Sequence, residues 1–121
     1  HVLLMIAEAE NEVNGPTEKA LKAINAVRTR SHQPAIDGAN LTQAELRERI
    51  RNEWRVETCF EGLRYFQLKR WKLLQQTVDG AVDPAYPAYK KVVTSAFEYF
   101  PLPQGEIDKA HGVLVQDPNY Q

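Results

Sequence analysis

The tripeptide Asn14-Gly15-Pro16 does more than any other feature to limit the folds open to this chain. On its amino-terminal side Val2, Leu3, Met5, Ile6, Ala9 and Val13 recur at helical spacings, and on its carboxy-terminal side Ala20, Leu21, Ile24 and Val27 form a second stripe. Glycine readily takes the left-handed conformation that closes a helix, and proline lacks an N–H at a place where a new first turn would leave one unpaired. Two helices of about 12 to 14 residues joined by so short a turn must lie as an antiparallel hairpin. The small residues Ala7, Ala9, Ala20 and Ala23 let the two axes approach closely, as in tetratricopeptide-like helix pairs. A repeat array would require recurrence, and the sequence contains no second copy of the hairpin.

Residues 31–41, with Pro34 and the pair Asp37-Gly38, read as a loop. Thr42 with Glu45 three residues on makes a capping box, so a longer helix is expected from Thr42 toward Glu61, with Leu46, Ile50 and Trp54 on one row. Val56, Phe60 and Leu63 form a second apolar row, which predicts neighbours on two sides. Gly62 kinks or ends the helix, and Tyr65, Phe66, Leu68 and Trp71 carry an apolar surface onto a following helix that reaches about Leu74. The segment 76–91, with Pro84, Pro87 and Asp79-Gly80, reads as irregular chain lying over the helices. Its Tyr86 and Tyr89 either pack on the edge of the core or present sugar-stacking surfaces, and they are the candidate ligand contacts. Residues 92–100 read as an extended piece or a brief helix. Phe100-Pro101-Leu102-Pro103 must be extended, and Gln104 to Lys109 can form one helical turn.

Glu53, Glu57 and Glu61 follow one another at i, i+4 and so line one helix face, where three carboxylates repel unless cations intervene. Arg49 lies one turn before Glu53, Arg64 three residues after Glu61, and Arg70 is near in sequence. The expectation is that guanidinium forks cross-link these acids where the helix packs on its neighbours. A glycosidase pair needs two carboxylates across a cleft with one kept partly protonated, and same-face neighbours on a single helix suit that poorly.

Fifteen Lys and Arg oppose sixteen Asp and Glu, a formal charge of -1 that offers no broad field for nucleic acid. His1, His32 and His111 lie in different segments, none at metal-ligand spacing with the single cysteine, so no metal or other cofactor is expected. Cys59 is expected as a small core residue. Ser31, Ser95 and Thr58 stand in no nucleophile-elbow pattern, a phosphate-binding glycine loop is lacking, and no catalytic residue is assigned. No apolar run reaches membrane-spanning length. The 121 residues, 43% hydrophobic, fit one modest core, and the opening HVLLMIAEAE reads as the start of a piece belonging to a longer chain.

Four blocks in order then resemble a known family. They are LLMIAEAENE at 3–12, AINAVRTR at 23–30, EWRVETCFEGLRYFQLKRW at 53–71 and FPLPQGEI at 100–107. Together they resemble the carboxy-terminal part of SusD/RagB-like proteins, the nutrient-binding outer-membrane lipoproteins of Bacteroidetes. The family's alanine-glutamate-alanine step falls on Ala7, Glu8 and Ala9, and its asparagine and arginines fall on Asn25, Arg28 and Arg30. Its glutamates fall on Glu53, Glu57 and Glu61, its glycine on Gly62, and further arginines on Arg55, Arg64 and Arg70. Where the family usually has an aspartate this chain has Gln67, which removes a charge from that network. The tail, HGVLVQDPNY at 111–120, matches the family's Asn-Pro-x-Leu-x-Gln-Asn-Pro-Gly-Tyr more loosely.

The resemblance implies that residues 1–121 form the carboxy-terminal region of a larger, all-α SusD-like fold. In it a tetratricopeptide-like hairpin is followed by further helices and Pro-rich irregular segments. It further implies a protein at the exposed side of the outer membrane, anchored by an amino-terminal lipid outside this chain, that binds an oligosaccharide or related nutrient. Such a protein does not cleave its ligand but passes it to a SusC-like TonB-dependent transporter. A helical protein-interaction scaffold is the competing class and a glycan hydrolase the third.

Overall fold

A computed structural model describes residues 1–120. The chain divides into two compact units, His1–Gly62 and the residues from Leu63 onward, each taken by itself below.

In the first unit α1 (Val2–Asn14) and α2 (Glu18–Arg30) form the expected hairpin. Gly15 closes α1 at φ 79° while its N–H donates to the Asn11 carbonyl at 2.9 Å, a conformation that would strain a side chain there. Pro16 precedes the N-cap Thr17, whose hydroxyl accepts the Ala20 N–H at 3.3 Å. The helix α3 (Gln43–Glu57) starts behind the predicted capping box: Thr42 Oγ1 accepts the Glu45 N–H, and Glu45 Oε2 accepts the Thr42 N–H at 2.8 Å.

The hairpin's core is built from small and branched side chains: Leu4 and Ala7 of α1, with Ala20, Ala23, Ile24 and Val27 of α2, are buried. Leu46, Ile50 and Trp54 of α3 complete it. The three-residue row Leu4, Ala7, Asn11 therefore carries the buried side of α1, whereas Val2, Leu3, Met5, Ile6, Ala9 and Val13, read as its stripe, are exposed. The reason is that α1 is apolar on most of its circumference, so periodicity cannot choose a face, and close approach to α2 selects the small Ala7.

The loop after α2 is fixed from beneath. Asn25 receives the Ile36 N–H on Oδ1 (2.7 Å) and donates from Nδ2 to the Ile36 carbonyl (3.0 Å), which holds Ile36 in the core. Gly38 passes so near Leu21 that a Cβ would lie 2.2 Å from its Cδ1. At the other end α3 stops at Glu57 and does not run on toward Glu61. The buried Thr58 hydroxyl donates to the Trp54 carbonyl at 2.6 Å, and Phe60 (φ 65°) and Gly62 (φ 73°) turn left-handed. Once the helix is broken there, Val56 and Phe60 face solvent and Cys59 is exposed, so neither the second apolar row nor a core cysteine is present.

The second unit contains α4 (Arg64–Arg70), α5 (Leu74–Val78) and α6 (Gln104–Lys109), with a smaller core of Leu68, Leu74 and Val93 backed by Tyr65, Leu73 and Val78. The segment 76–91, read as irregular, carries the end of α5 and a ribbon: β1 (Val82–Asp83) and β2 (Tyr86–Lys90) pair antiparallel with Val82 opposite Lys90, and Asp83 Oδ1 accepts the Ala85 N–H in the connecting turn. The expectation of a purely helical chain is corrected to a mostly helical one carrying a short ribbon. Two prolines argued against a strand, but in a two-stranded ribbon both strands are edges, where proline is tolerated. Residues 95–98 form a 3₁₀ turn, and Gln116 clamps the extended Pro-rich stretch by accepting the Leu102 N–H (3.0 Å) and donating to its carbonyl (2.9 Å). Among the described residues no helix is long and apolar enough to cross a membrane.

Candidate functional site

Glu53 and Glu57 of α3, and Glu61 beyond its end, each meet a partner of their own in the first unit. Arg28 Nη1 donates to Glu53 Oε2 at 2.6 Å, and the Glu53 side chain is only 4% exposed. Arg30 Nη2 pairs with Glu57, and His1 Nε2 lies 2.9 Å from Glu61. The partners are thus Arg28 and Arg30 of α2, with His1 ahead of α1. Arg49, Arg64 and Arg70, read as the cross-linking cations from their nearness in sequence, are not those the structure gives to these acids. Cations spaced on a separate helix could be matched to the acids only once the packing of α2 was known.

Arg28 also donates from Nε to the Pro34 carbonyl at 2.8 Å, so one guanidinium ties the acid of α3 to the loop after α2. Across the other side of α1, Glu12 receives Arg47 in a two-point contact, 2.6 Å from Nε and 2.6 Å from Nη2, and Trp54 Nε1 donates to Glu8 at 3.1 Å. The hydrogen bond from Arg47 holds the Glu12 carboxyl below the ordinary carboxylate range and raises the Arg47 guanidinium in turn. Glu10 is likewise lowered, chiefly by its hydrogen bond from Lys19, and Glu45 by those from Thr42. These hydrogen bonds favour the ionised forms of Glu10, Glu12 and Glu45.

Among the described residues no group of three His, Cys, Asp or Glu side chains is placed to hold a metal ion. Tyr86 and Tyr89 lie three residues apart on β2 in the second unit. Their ring centroids are 6.5 Å apart in an edge-to-face arrangement, and the residues are 63% and 75% exposed. Of the two readings open in the sequence, packing on the edge of the core does not describe them.

The chain matches the family model described as the SusD family over residues 1–120. The SusD-like protein P2 of Formosa agariphila is 29% identical to it, an alignment that takes in 98% of the chain and 24% of that protein. A crystal structure of a SusD-like protein from Bacteroides fragilis superposes with a TM-score of 0.82 at 27% identity, over 98% of this chain and 24% of that one. The surface glycan-binding protein A of Bacteroides thetaiotaomicron superposes with a TM-score of 0.70 at 29% identity, over 96% of this chain and 22% of that one. The chain spans about a quarter of the length of the relatives it matches. With the family model covering it from end to end of the described residues and its helical architecture shared with solved relatives, the chain belongs to the SusD family.

Proposed function

We propose that the protein containing this chain captures an oligosaccharide or related nutrient at the outer cell surface and delivers it, uncleaved, to a SusC-like TonB-dependent transporter. The observation that carries this reading is the family match over residues 1–120. The likeness to a surface glycan-binding protein supports a glycan as the ligand. In this reading residues 1–121 are the carboxy-terminal region of the longer protein, α1 and α2 form a tetratricopeptide-like pair, and the membrane anchor is a lipid on an amino terminus outside this chain. Tyr86 and Tyr89 are the proposed ligand contacts, because each is exposed and presents a ring face on which a sugar can stack. Binding without turnover accords with Glu53 and Glu57 being committed to Arg28 and Arg30.

One observation favours the second reading, a protein-interaction scaffold: α1 exposes Val2, Leu3, Met5 and Val13 along one side. A glycan array probed with the full-length parent beside the 121-residue chain, with product analysis of every bound glycan, separates the readings. Binding by the parent without new reducing ends is the expected result. Turnover would make the protein a hydrolase, and stable capture of a soluble protein with no glycan or peptide bound would favour the scaffold.

A further inference from the structure

We infer that the ligand is an acidic oligosaccharide, with its anionic group seated in a small polar hollow of the second unit and its sugar body in the apolar groove beside it. The inference rests on the glycan-capture reading and adds the chemical class of the ligand and a second place where it is held. The groove, about 450 Å³, is lined by Tyr65, Leu68, Val78 and Phe97, with Lys91 among its polar residues. The hollow, about 50 Å³, is lined by Lys69, Lys72, Gln75, Thr94 and Ser95. Leu74 and Val93 line both, so the two spaces are separated by a single wall of side chains.

Their sizes assign them different parts of a ligand. A water needs roughly 10 to 15 Å³ on this measure, so the hollow has room for a carboxylate or sulfate group and its partners but not for a ring. The groove has room for sugar rings, with Tyr65 and Phe97 supplying aromatic surface for their C–H faces.

The chemistry of the hollow has one sign. Two lysines, two hydroxyl residues and a glutamine line it, and none of the described residues lining it is acidic. The Lys69 ammonium lies over aromatic faces, its Nζ 4.0 Å from the Phe100 ring centroid and 5.3 Å from that of Tyr65. Ser95 donates to Asn119 at 3.2 Å. The two acids of the neighbouring ribbon segment are engaged by backbone: Asp79 accepts the Val93 N–H at 3.0 Å and Asp83 that of Ala85 at 2.9 Å. Strand β2 leads from the tyrosine pair directly to Lys91 on the groove, so a chain of sugars can run from the stacking surface to the cationic hollow.

The test is calorimetric titration of the full-length parent with oligogalacturonate, oligomannuronate and a sulfated carrageenan oligosaccharide. Each is paired with its carboxyl-reduced or desulfated counterpart, and a panel of neutral glycans is run alongside. At least one acidic probe should bind tenfold or more tightly than its neutral counterpart, with an affinity that falls as salt is raised. The uronate and sulfate arms identify which anion the hollow takes. The variant K69Q/K72Q should lose at least tenfold in affinity for that probe. K72E, at an exposed position, should do the same if the double variant folds poorly. Equal binding of acidic and neutral counterparts, or unchanged affinity in K72E, would overturn the inference. Binding of neutral glycans alone would overturn it too while leaving the capture reading intact, and failure of every glycan to bind would remove both.

Discussion

The two units are of similar length and spend their apolar residues differently. The first closes a continuous core, from Leu4 and Ile24 to Leu46, Ile50 and Trp54, and ties its helices across with paired charges. The second buries Leu68, Leu74 and Val93 while leaving Phe66, Phe97, Tyr99 and Phe100 exposed, Phe97 on an open groove. Much of the second unit's order comes from polar clamps, such as Gln116 on Leu102 and the Tyr120 hydroxyl donating to the Tyr99 carbonyl at 2.8 Å. A filled core resists change, whereas exposed rings and an unfilled groove are what a binding surface requires. The contrast is between a first unit with a filled core and a second with exposed rings beside an open groove.

The largest expected effect lies at the buried charge of the first unit. Arg28→Met leaves Glu53 inside without its partner and the Pro34 carbonyl without its donor, and should destabilise by about 3 to 5 kcal/mol. Adding Glu53→Met to Arg28→Met should recover a large part of that loss, since removing both charges also removes the cost of burying one alone. Urea titrations of both variants supply the check. A single variant within about 1 kcal/mol of the parent chain would mean that the ion pair does not hold the unit together.

Next in size is a direct contrast of the two cores. Leu46→Ala, at a position sealed on all sides, should cost about 3 to 4 kcal/mol, whereas Leu74→Ala, beside the open groove, should cost about 2 because its surroundings can relax. The two tryptophans, Trp54 in the first unit and Trp71 in the second, provide separate fluorescence reporters once each is studied with the other changed to Phe. The Trp71 transition should come at lower urea. Coincident transitions, with equal costs for the two leucines, would break the comparison and make the chain one cooperative body.

How far the fold was legible follows the range of the forces involved. Gly15, Pro16, Thr17 and the Thr42–Glu45 box act within a few residues, and the hairpin and the start of α3 could be read from them directly. The buried side of α1 could not, because a helix apolar nearly all round is oriented by its neighbours, and Ala7 was chosen by the approach of α2. The structural role of Glu53 and Glu57 was legible from their i, i+4 spacing, but Arg28 and Arg30 lie 25 and 27 residues away and depend on tertiary packing. Tyr86 and Tyr89 stood out as aromatics in a Pro-rich segment. Both lie on one strand, β2, whose pairing with β1 the prolines concealed. The groove on Tyr65 and Phe97 is a product of side chains some thirty residues apart, and no local signal announces it.

The smallest effect sharpens the comparison through pH. Glu10, Glu12 and Glu45 all lie in the first unit, and each is held below the ordinary carboxylate range by hydrogen bonds, from Lys19, Arg47 and Thr42 respectively as the leading donors. A carboxyl group whose folded pKa is depressed contributes stability that is fully present above its unfolded pKa. That contribution is lost as pH falls through the depressed folded value, because the unfolded chain takes up the proton first. Stability reported by Trp54 should therefore be level near neutrality and decline as acid passes through and below the usual carboxylate range. Thr42→Ala keeps the backbone N–H that donates to Glu45 but removes the hydroxyl that both donates to its carboxylate and accepts its N–H, and should lower stability at neutral pH by about 1 kcal/mol. It should also flatten the acid decline, since Glu45 would then titrate closer to its unfolded value. A parallel decline in the variant and the parent chain would show that the capping hydrogen bonds do not set the acid response, and a decline reported equally by Trp71 would remove the pH contrast between the units.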